Sequence, residues 1–295
     1  MIQIHGLTQQ FSNGRGIFDV TFEVEKGEVF GFLGPNGAGK STTIRHLMGY
    51  MKPQKGTALI HGFDTWKQQE KAREKVGYLP GEISFIDGMN GVEFINLMAG
   101  MQGLKDKNRR SELMERLQFD PKTPIRKMSK GMKQKVGIVV TFMHNPEVYI
   151  LDEPTSGLDP LMQKVFIDLV LEEKAKGKTF IMSSHSFAEI ERTCDRAAII
   201  KDGRIMTVKN INDLQFMQRK IYDITLENNN DIERIQLSNL TIENTNGNVA
   251  RIMIQGDYNE LIEELSKYNV TNISSVSQSL EDVFMNYYDT KEAIK

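Results

Sequence analysis

The stretch Gly34-Pro35-Asn36-Gly37-Ala38-Gly39-Lys40-Ser41-Thr42 reads G-x-x-x-x-G-K-S, the spacing of a loop that cradles nucleotide phosphates. Glycines let such a backbone curl until several N–H groups point at phosphate oxygens. Lys40 brings a positive charge to the β- and γ-phosphates, and the Ser41 hydroxyl is placed to ligate Mg²⁺. A second chemical pair, Asp152-Glu153, ends an apolar run. Asp152 is suited to hold Mg²⁺ through its water shell, and Glu153 to act as general base on a water attacking the γ-phosphate. An acidic pair at a strand end can also be a cap or an ion-pair partner, but beside a phosphate loop the catalytic reading is favoured. A third group is Met128-Ser129-Lys130-Gly131-Met132. Ser129 is a natural N-cap, and a capped helix start with Gly131 giving close backbone access is itself an anion site.

These groups need elements to position them. The run Val29–Leu33 reads as a buried strand feeding the loop, and Ser41–Met48 as a helix whose N-terminal dipole favours the anion. Before the loop, Ile2–Leu7, Phe18–Val24 and Glu28–Leu33 alternate and turn like an antiparallel sheet. Phe11, at the first turn, is either a packed core aromatic or a platform for a base. After the loop helix come a strand at Thr57–Ile60, a polar helix at Lys67–Lys75 and a short strand from Val76 into Pro80-Gly81-Glu82. Val92, Ile95, Met98 and Ala99 share a helical face, as do Val136, Val139, Val140 and Met143, so residues 83–145 read as a helical insert. Glu147–Leu151 is apolar enough for burial on both faces, as in a parallel sheet. Pro160 opens a helix that Gly177 ends, Thr179–Ser183 is the next buried strand with His185 just past it, and Ala197–Val208 is a hairpin.

Beyond Gln215 the composition shifts, with asparagine clusters at Asn228–Asn230 and Asn244–Asn248. Strands at Ile221–Leu226 and Ala250–Ile254, with helices at Asn259–Tyr268 and Leu280–Tyr288, describe a small α+β appendage over 215–295 without evident chemistry. The 37 Lys+Arg against 39 Asp+Glu give nothing that suggests a nucleic-acid partner. A single cysteine, Cys194, excludes an internal disulfide and fits a reducing compartment. The start lacks a secretory signal, and no apolar stretch approaches the ~20 residues that span a bilayer. A cytoplasmic protein is expected.

With these residues in order, the chain over 1–210 resembles the ATP-binding subunit of an ABC transporter. The P-loop fits at Gly34–Thr42, the signature at Ser129-Lys130-Gly131, the Walker B strand at Val148–Glu153, the D-loop at Ser156–Asp159, and the switch histidine at His185. Phe11 falls where such proteins place the adenine-stacking aromatic. The resemblance implies an α/β P-loop NTPase over 1–214, with an antiparallel β subdomain, a mostly parallel core sheet and a helical insert. It implies ATP and Mg²⁺, a separately encoded membrane permease that holds the chain at the cytoplasmic face, and a second ATP-binding subunit paired head to tail. In that pairing, ATP on one P-loop is sealed by the Ser129 region of the other subunit, and Asp159 joins the nucleotide-site residues.

Two departures bear on the branch. The common signature is L-S-G-G-Q, whereas here Met128-Ser129-Lys130-Gly131-Met132 keeps the serine and second glycine. Where relatives offer a glutamine to the Mg²⁺ region, this chain has Gly81-Glu82. Glu82 is then either a Mg²⁺ ligand that links the site to the permease or a solvated loop residue. Both variants, and a terminal segment like Ser279–Phe284, resemble the exporters of drugs, peptide antibiotics or toxins in Gram-positive bacteria. The competing class is a soluble ABC-type ATPase acting on ribosomes or DNA. One P-loop and no extended heptads weigh against it, and no N-K-x-D-like segment supports a GTPase.

Overall fold

Alternating burial along Ile2–Gln10 (β1) and Gly16–Val24 (β2) makes each a strand with one wet face. They pair antiparallel, and Lys55–Ile60 (β4) and Phe63–Asp64 (β5) extend the sheet in the order β2-β1-β4-β5. Val29–Leu33 (β3) does not join it, contrary to the antiparallel grouping its sequence position suggests. All five of its residues are buried, so it needs cover on both faces and sits inside the second sheet.

That second sheet has six strands in the order β10-β9-β3-β8-β7-β6. Its members besides β3 are Val76–Leu79 (β6), Val148–Asp152 (β7), Thr179–Ser184 (β8), Arg196–Lys201 (β9) and Arg204–Asn210 (β10). Pairing is parallel from β9 to β6, and only the β9–β10 hairpin is antiparallel. The loop helix Lys40–Leu47 (α1) packs between the two sheets, its Ile44 and Leu47 buried among Val20, Phe22, Phe32 and Ile150. Rings of Phe142, Tyr149 and Phe180 form a stack, with centroids 4.4 Å and 4.5 Å apart, that fixes helix against sheet.

The short helix Gln69–Arg73 (α2) precedes β6, and between β6 and β7 the chain folds into a helical insert. Gly91–Met101 (α3) starts at a capping box of Asn90 with Glu93. Asn108–Arg116 (α4), a 3-10 turn at Ile125–Lys127 and Lys130–Phe142 (α5) complete it. Pro160–Ala175 (α6) and Phe187–Thr193 (α7) follow β7 and β8.

The structure, a computed structural model, describes residues 1–213, 220–254 and 258–277. The chain divides into two units, Met1–Ile211 and Asn212–Lys295. In the second unit, Lys220–Leu226 (β11), Asn230–Gln236 (α8), Thr241–Asn246 (β12), Val249–Ile254 (β13), Asn259–Leu265 (α9) and Val270–Ser277 (β14) follow one another. The sheet is antiparallel in the order β12-β13-β11-β14, a split βαβ arrangement with both helices packed on one core of Ile224, Ile232, Ile235, Ile252 and Leu261. Its α8, β12 and β14 were not anticipated from the sequence. The Asn228–Asn230 cluster leads into α8, and Gly247 turns β12 into β13 at a φ of 59°. The helix expected at Leu280–Tyr288, and the segment Ser279–Phe284, lie outside the described residues.

Candidate functional site

Three strand ends build the site. β7, β8 and β3 lie side by side and parallel, so their C-terminal ends emerge on one edge. Leu33 lies opposite Ser184, and Asp152 opposite Ser183, in the ladder. The phosphate loop, the Asp152-Glu153 pair and His185 therefore converge at the place where open parallel sheets bind ligands.

Lys40 begins α1, and Gly39 precedes it at a φ of 113°, a conformation that a side chain would strain. The lysine is only 5% exposed. Its ammonium donates to the carbonyls of Gly34 at 2.6 Å and Pro35 at 3.3 Å. Burial pulls its pKa down, while Glu153 and then Asp152 push it back up. Lys40 Nζ stands 3.8 Å from Glu153 Oε1, and Glu153 Oε2 stands 3.8 Å from His185 Nδ1. The three groups thus form a line of cation, carboxylate and imidazole. Pro35, Asn36, Gly37 and Ser41 are exposed, whereas Gly34 and Ala38 are buried under the loop. A cavity of about 340 Å³ opens beside it, lined by Arg15, Gly16, Phe18, the loop residues Pro35 to Ala38, and Asp202.

Ser183 is the hinge pin of the acidic pair. Its hydroxyl donates to Asp152 Oδ1 and accepts the Glu153 backbone N–H at 3.0 Å. Glu153 is thereby held at a φ of 49°, in the left-handed region that a non-glycine residue occupies at a cost of ~1–3 kcal/mol. Such strain persists only where surrounding bonds over-determine it, and it turns the Glu153 carboxylate toward Lys40. No side chain stands at Gly81, where a Cβ would lie 3.4 Å from Asp152 Oδ2.

The Ser129 region forms a second cluster. Ser129 caps α5, its hydroxyl accepting from the Met132 N–H at 3.2 Å. Lys130 Nζ donates to Ser156 Oγ at 2.7 Å, and a Cβ on Gly131 would lie 2.4 Å from the Gly157 carbonyl. On the same helix Gln134, 3% exposed, donates to the Pro154 carbonyl at 2.8 Å. The signature helix is therefore fastened to the loop that follows Glu153. No hydrogen bond or ion pair among the described residues joins Ser129, Lys130 or Gly131 to the phosphate loop of the same chain.

The remaining candidates stand apart. Phe11 sits at the β1–β2 turn, its N–H bonded to the Arg15 carbonyl, with 38% of its surface exposed. Asp159 caps α6 by accepting from the Met162 N–H at 3.0 Å. Thr42 lies in the first turn of α1 with its carbonyl facing His46 Nδ1. Glu82 is exposed and takes part in no hydrogen bond or ion pair among the described residues, and it is Gly81 whose Cβ would lie 3.4 Å from Asp152 Oδ2. Ser183, Gln134 and Glu189 were missed in the sequence. Two serines ending the apolar strand β8, and a glutamate one helical turn after His185, were the available signals. Glu189 is a buried carboxyl group bonded to both Ser184 and Thr155.

The family model described as ABC transporter matches residues 17–156. An ABC transporter ATP-binding protein of Bacillus subtilis, YhcH, is 30% identical over 301 residues, covering 100% of this chain and 98% of the relative. The bacitracin transport ATP-binding protein BcrA of Bacillus licheniformis is 32% identical over 295 residues, covering 97% of this chain and 96% of the relative. Among solved structures, an ATP-binding subunit of an ABC transporter superposes with a TM-score of 0.68 at 34% identity, over 73% of this chain and 92% of that one. A dimeric bacterial ABC transporter cassette shares the fold at 22% identity, with a TM-score of 0.65 over 72% of this chain and 99% of that one. A loop of phosphate-binding spacing, an acidic pair and a histidine on three adjacent strand ends, together with likeness along the whole chain, lead to one assignment: the chain belongs to the ABC transporter family, as an ATP-binding ATPase subunit.

Proposed function

We propose that this subunit hydrolyses ATP to power export of a drug, peptide or toxin through a separately encoded membrane permease. The full-length likeness to a bacitracin transport protein carries the export reading. Among the described residues no helix is long and apolar enough to cross a membrane, so a permease would supply the pathway. It would also hold the subunit at the cytoplasmic face.

The site's own residues suit each step of hydrolysis. Lys40 is preorganised by the carbonyls of Gly34 and Pro35, and its charge is directed to the β- and γ-phosphates that the loop N–H groups bind. Ser41 and Asp152 fit Mg²⁺: one is an exposed hydroxyl, the other a carboxylate with Oδ1 already oriented by Ser183. A hydroxyl, one carboxylate and phosphate oxygens make a normal Mg²⁺ donor set, so the lack of a larger acidic cluster among the described residues is no obstacle. Mg²⁺ neutralises phosphate charge when bound. Glu153 takes the proton of the attacking water at a carboxylate oxygen, and His185, across from Oε2, orients the γ-phosphate end of the site. Phe11, exposed at its turn, offers a face for the adenine. Exposed Glu82, without a partner among the described residues, serves the permease side rather than the metal.

Ser129, Lys130 and Gly131 lie with the Ser156-Gly157 loop and make no bond to the Lys40 loop of their own chain. They seal the nucleotide of a second subunit, and Asp159, the cap of α6, joins them in that role. Glu153→Gln tests the reading. It should bind ATP normally, lose about 10²–10⁴-fold in turnover, and accumulate as an ATP-bound dimer on size-exclusion chromatography. Turnover at the parental rate would reject the role given to Glu153.

A further inference from the structure

Glu153 and His185 do not hold each other. Their 3.8 Å separation is too long for a hydrogen bond, and the imidazole side chain is 63% exposed. Their relative placement must come from the two loops that carry them. The Glu153 loop continues through Pro154 to Thr155, and the His185 loop is flanked by Ser184 and Ser186.

One buried side chain reaches both loops. Glu189, on α7, is 5% exposed. Its Oε2 accepts from the Ser184 hydroxyl at 2.6 Å and from the Thr155 hydroxyl at 3.2 Å. The Ser184 oxygen in turn accepts the Ser186 N–H at 2.9 Å, which closes the turn around His185. The backbone carbonyl of Glu189 is anchored by the Thr193 hydroxyl at 2.7 Å, so the carboxyl group is borne on a fixed helix turn. The other oxygen, Oε1, is buried with no hydrogen-bond partner among the described residues. Glu189 also lines a cavity of about 280 Å³, together with Thr155, Ser156, Gly157, His185 and Ser186.

We infer that Glu189 is a positioning residue for ATP hydrolysis: its carboxyl group clamps Thr155 to Ser184 and so sets the Glu153–His185 spacing. The inference rests on the catalytic reading of Glu153 given above. A buried carboxyl group with an unpaired oxygen is a costly device, and packing alone would be served better by an apolar side chain. Burial pushes its pKa up to about 7, against the hydrogen bonds from Ser184 and Thr155 and with the help of the Glu153 charge. The other titratable groups around it are the Cys194 thiol at the end of α7, and Lys164 of α6, Arg192 of α7 and His185 along the cavity.

The test is the steady-state ATPase of the full chain with Glu189→Ala, Glu189→Gln and Thr155→Val, next to Glu153→Gln. Glu189→Ala should lower kcat by ~10-fold or more, with KM for ATP within about threefold, because the reacting groups are misplaced while the nucleotide site is intact. Glu189→Gln keeps an oxygen that accepts from both hydroxyls and should restore most of the loss. Thr155→Val removes one arm at nearly constant volume, so it reads the clamp even if the alanine variant does not fold. It should lower kcat severalfold at unchanged KM. Parental kcat in Thr155→Val, or in a folded Glu189→Ala, overturns the inference, as does a glutamine variant as impaired as alanine. If Glu153→Gln itself turns over normally, the catalytic reading beneath it fails instead.

Discussion

Lys40 is the residue whose loss is simplest to predict. It is buried, its ammonium stands 3.8 Å from the Glu153 carboxylate, and its pKa is held down by desolvation against the pull of two carboxylates. Lys40→Ala leaves the phosphate loop without its charge, and ATP affinity measured by titration calorimetry should fall by about two orders of magnitude. Binding at parental strength would remove Lys40 from the phosphate site. Glu189 makes a prediction in pH. Its carboxyl group titrates at about 7 in the folded chain against 4.5 for the ordinary glutamate. The folded state thus binds the proton more tightly than the unfolded one. The stability it contributes is complete below about pH 4.5 and is lost as pH rises through about 7. Glu189→Gln does not titrate, so its stability relative to the parent should rise by on the order of 2 kcal/mol between pH 5 and pH 8. Urea unfolding at both pH values measures that difference, and an equal offset at each would contradict the burial argument. Of these residues Lys40, Asp152 and Glu153 were legible in the sequence, because a loop spacing and a strand end announce them. Ser183 and Glu189 were not, because their roles depend on which strand lies beside which.

At the scale of elements, the site depends on how closely α5 approaches the loop after Glu153. The Gly131–Gly157 crossing leaves no room for a methyl group, since an added Cβ would lie 2.4 Å from a backbone oxygen that cannot rotate away. Gly131→Ala should therefore destabilise the chain by about 1–3 kcal/mol and displace the Ser129 cap, lowering turnover together with the melting temperature. A variant with both values unchanged would show that this crossing is slack. The parallel strands β7 and β8 were legible as apolar runs ending in polar residues, and Ser129 as the cap of α5. The placement of β3 was not. Its neighbours in sequence form hairpins, but a strand with no exposed residue belongs inside the parallel sheet, where β8 and β9 pair with its two edges and both of its faces are covered. Strand β12 escaped notice for the opposite reason. Its sequence Thr-Ile-Glu-Asn-Thr-Asn is polar and mostly exposed at a sheet edge, so neither periodicity nor apolar content marks it.

At the scale of the whole molecule, the two groups proposed as halves of a nucleotide site are joined by no hydrogen bond or ion pair among the described residues. The Lys40 loop stands at the ends of β3, β7 and β8, whereas Ser129 and Lys130 are bonded into α5 and the Ser156 loop. Pairing two chains so that each contributes the half the other lacks predicts complementation. Lys40→Ala alone should be inactive because it cannot bind ATP productively, and Ser129→Arg alone because a bulky cation blocks the sealing of the partner's nucleotide. In a mixed dimer, the Ser129→Arg chain still offers an intact Lys40 loop, and the Lys40→Ala chain still offers an intact Ser129 cap. Those two intact halves face each other, and the two damaged halves combine in the other site. Mixing the two inactive variants should therefore restore ATPase activity above that of either alone, rising with the fraction of mixed dimers. If both halves instead served a nucleotide within one chain, every chain in the mixture would carry a lesion in its only site. The mixture would then be as inactive as its components, and the head-to-tail arrangement would have to be abandoned.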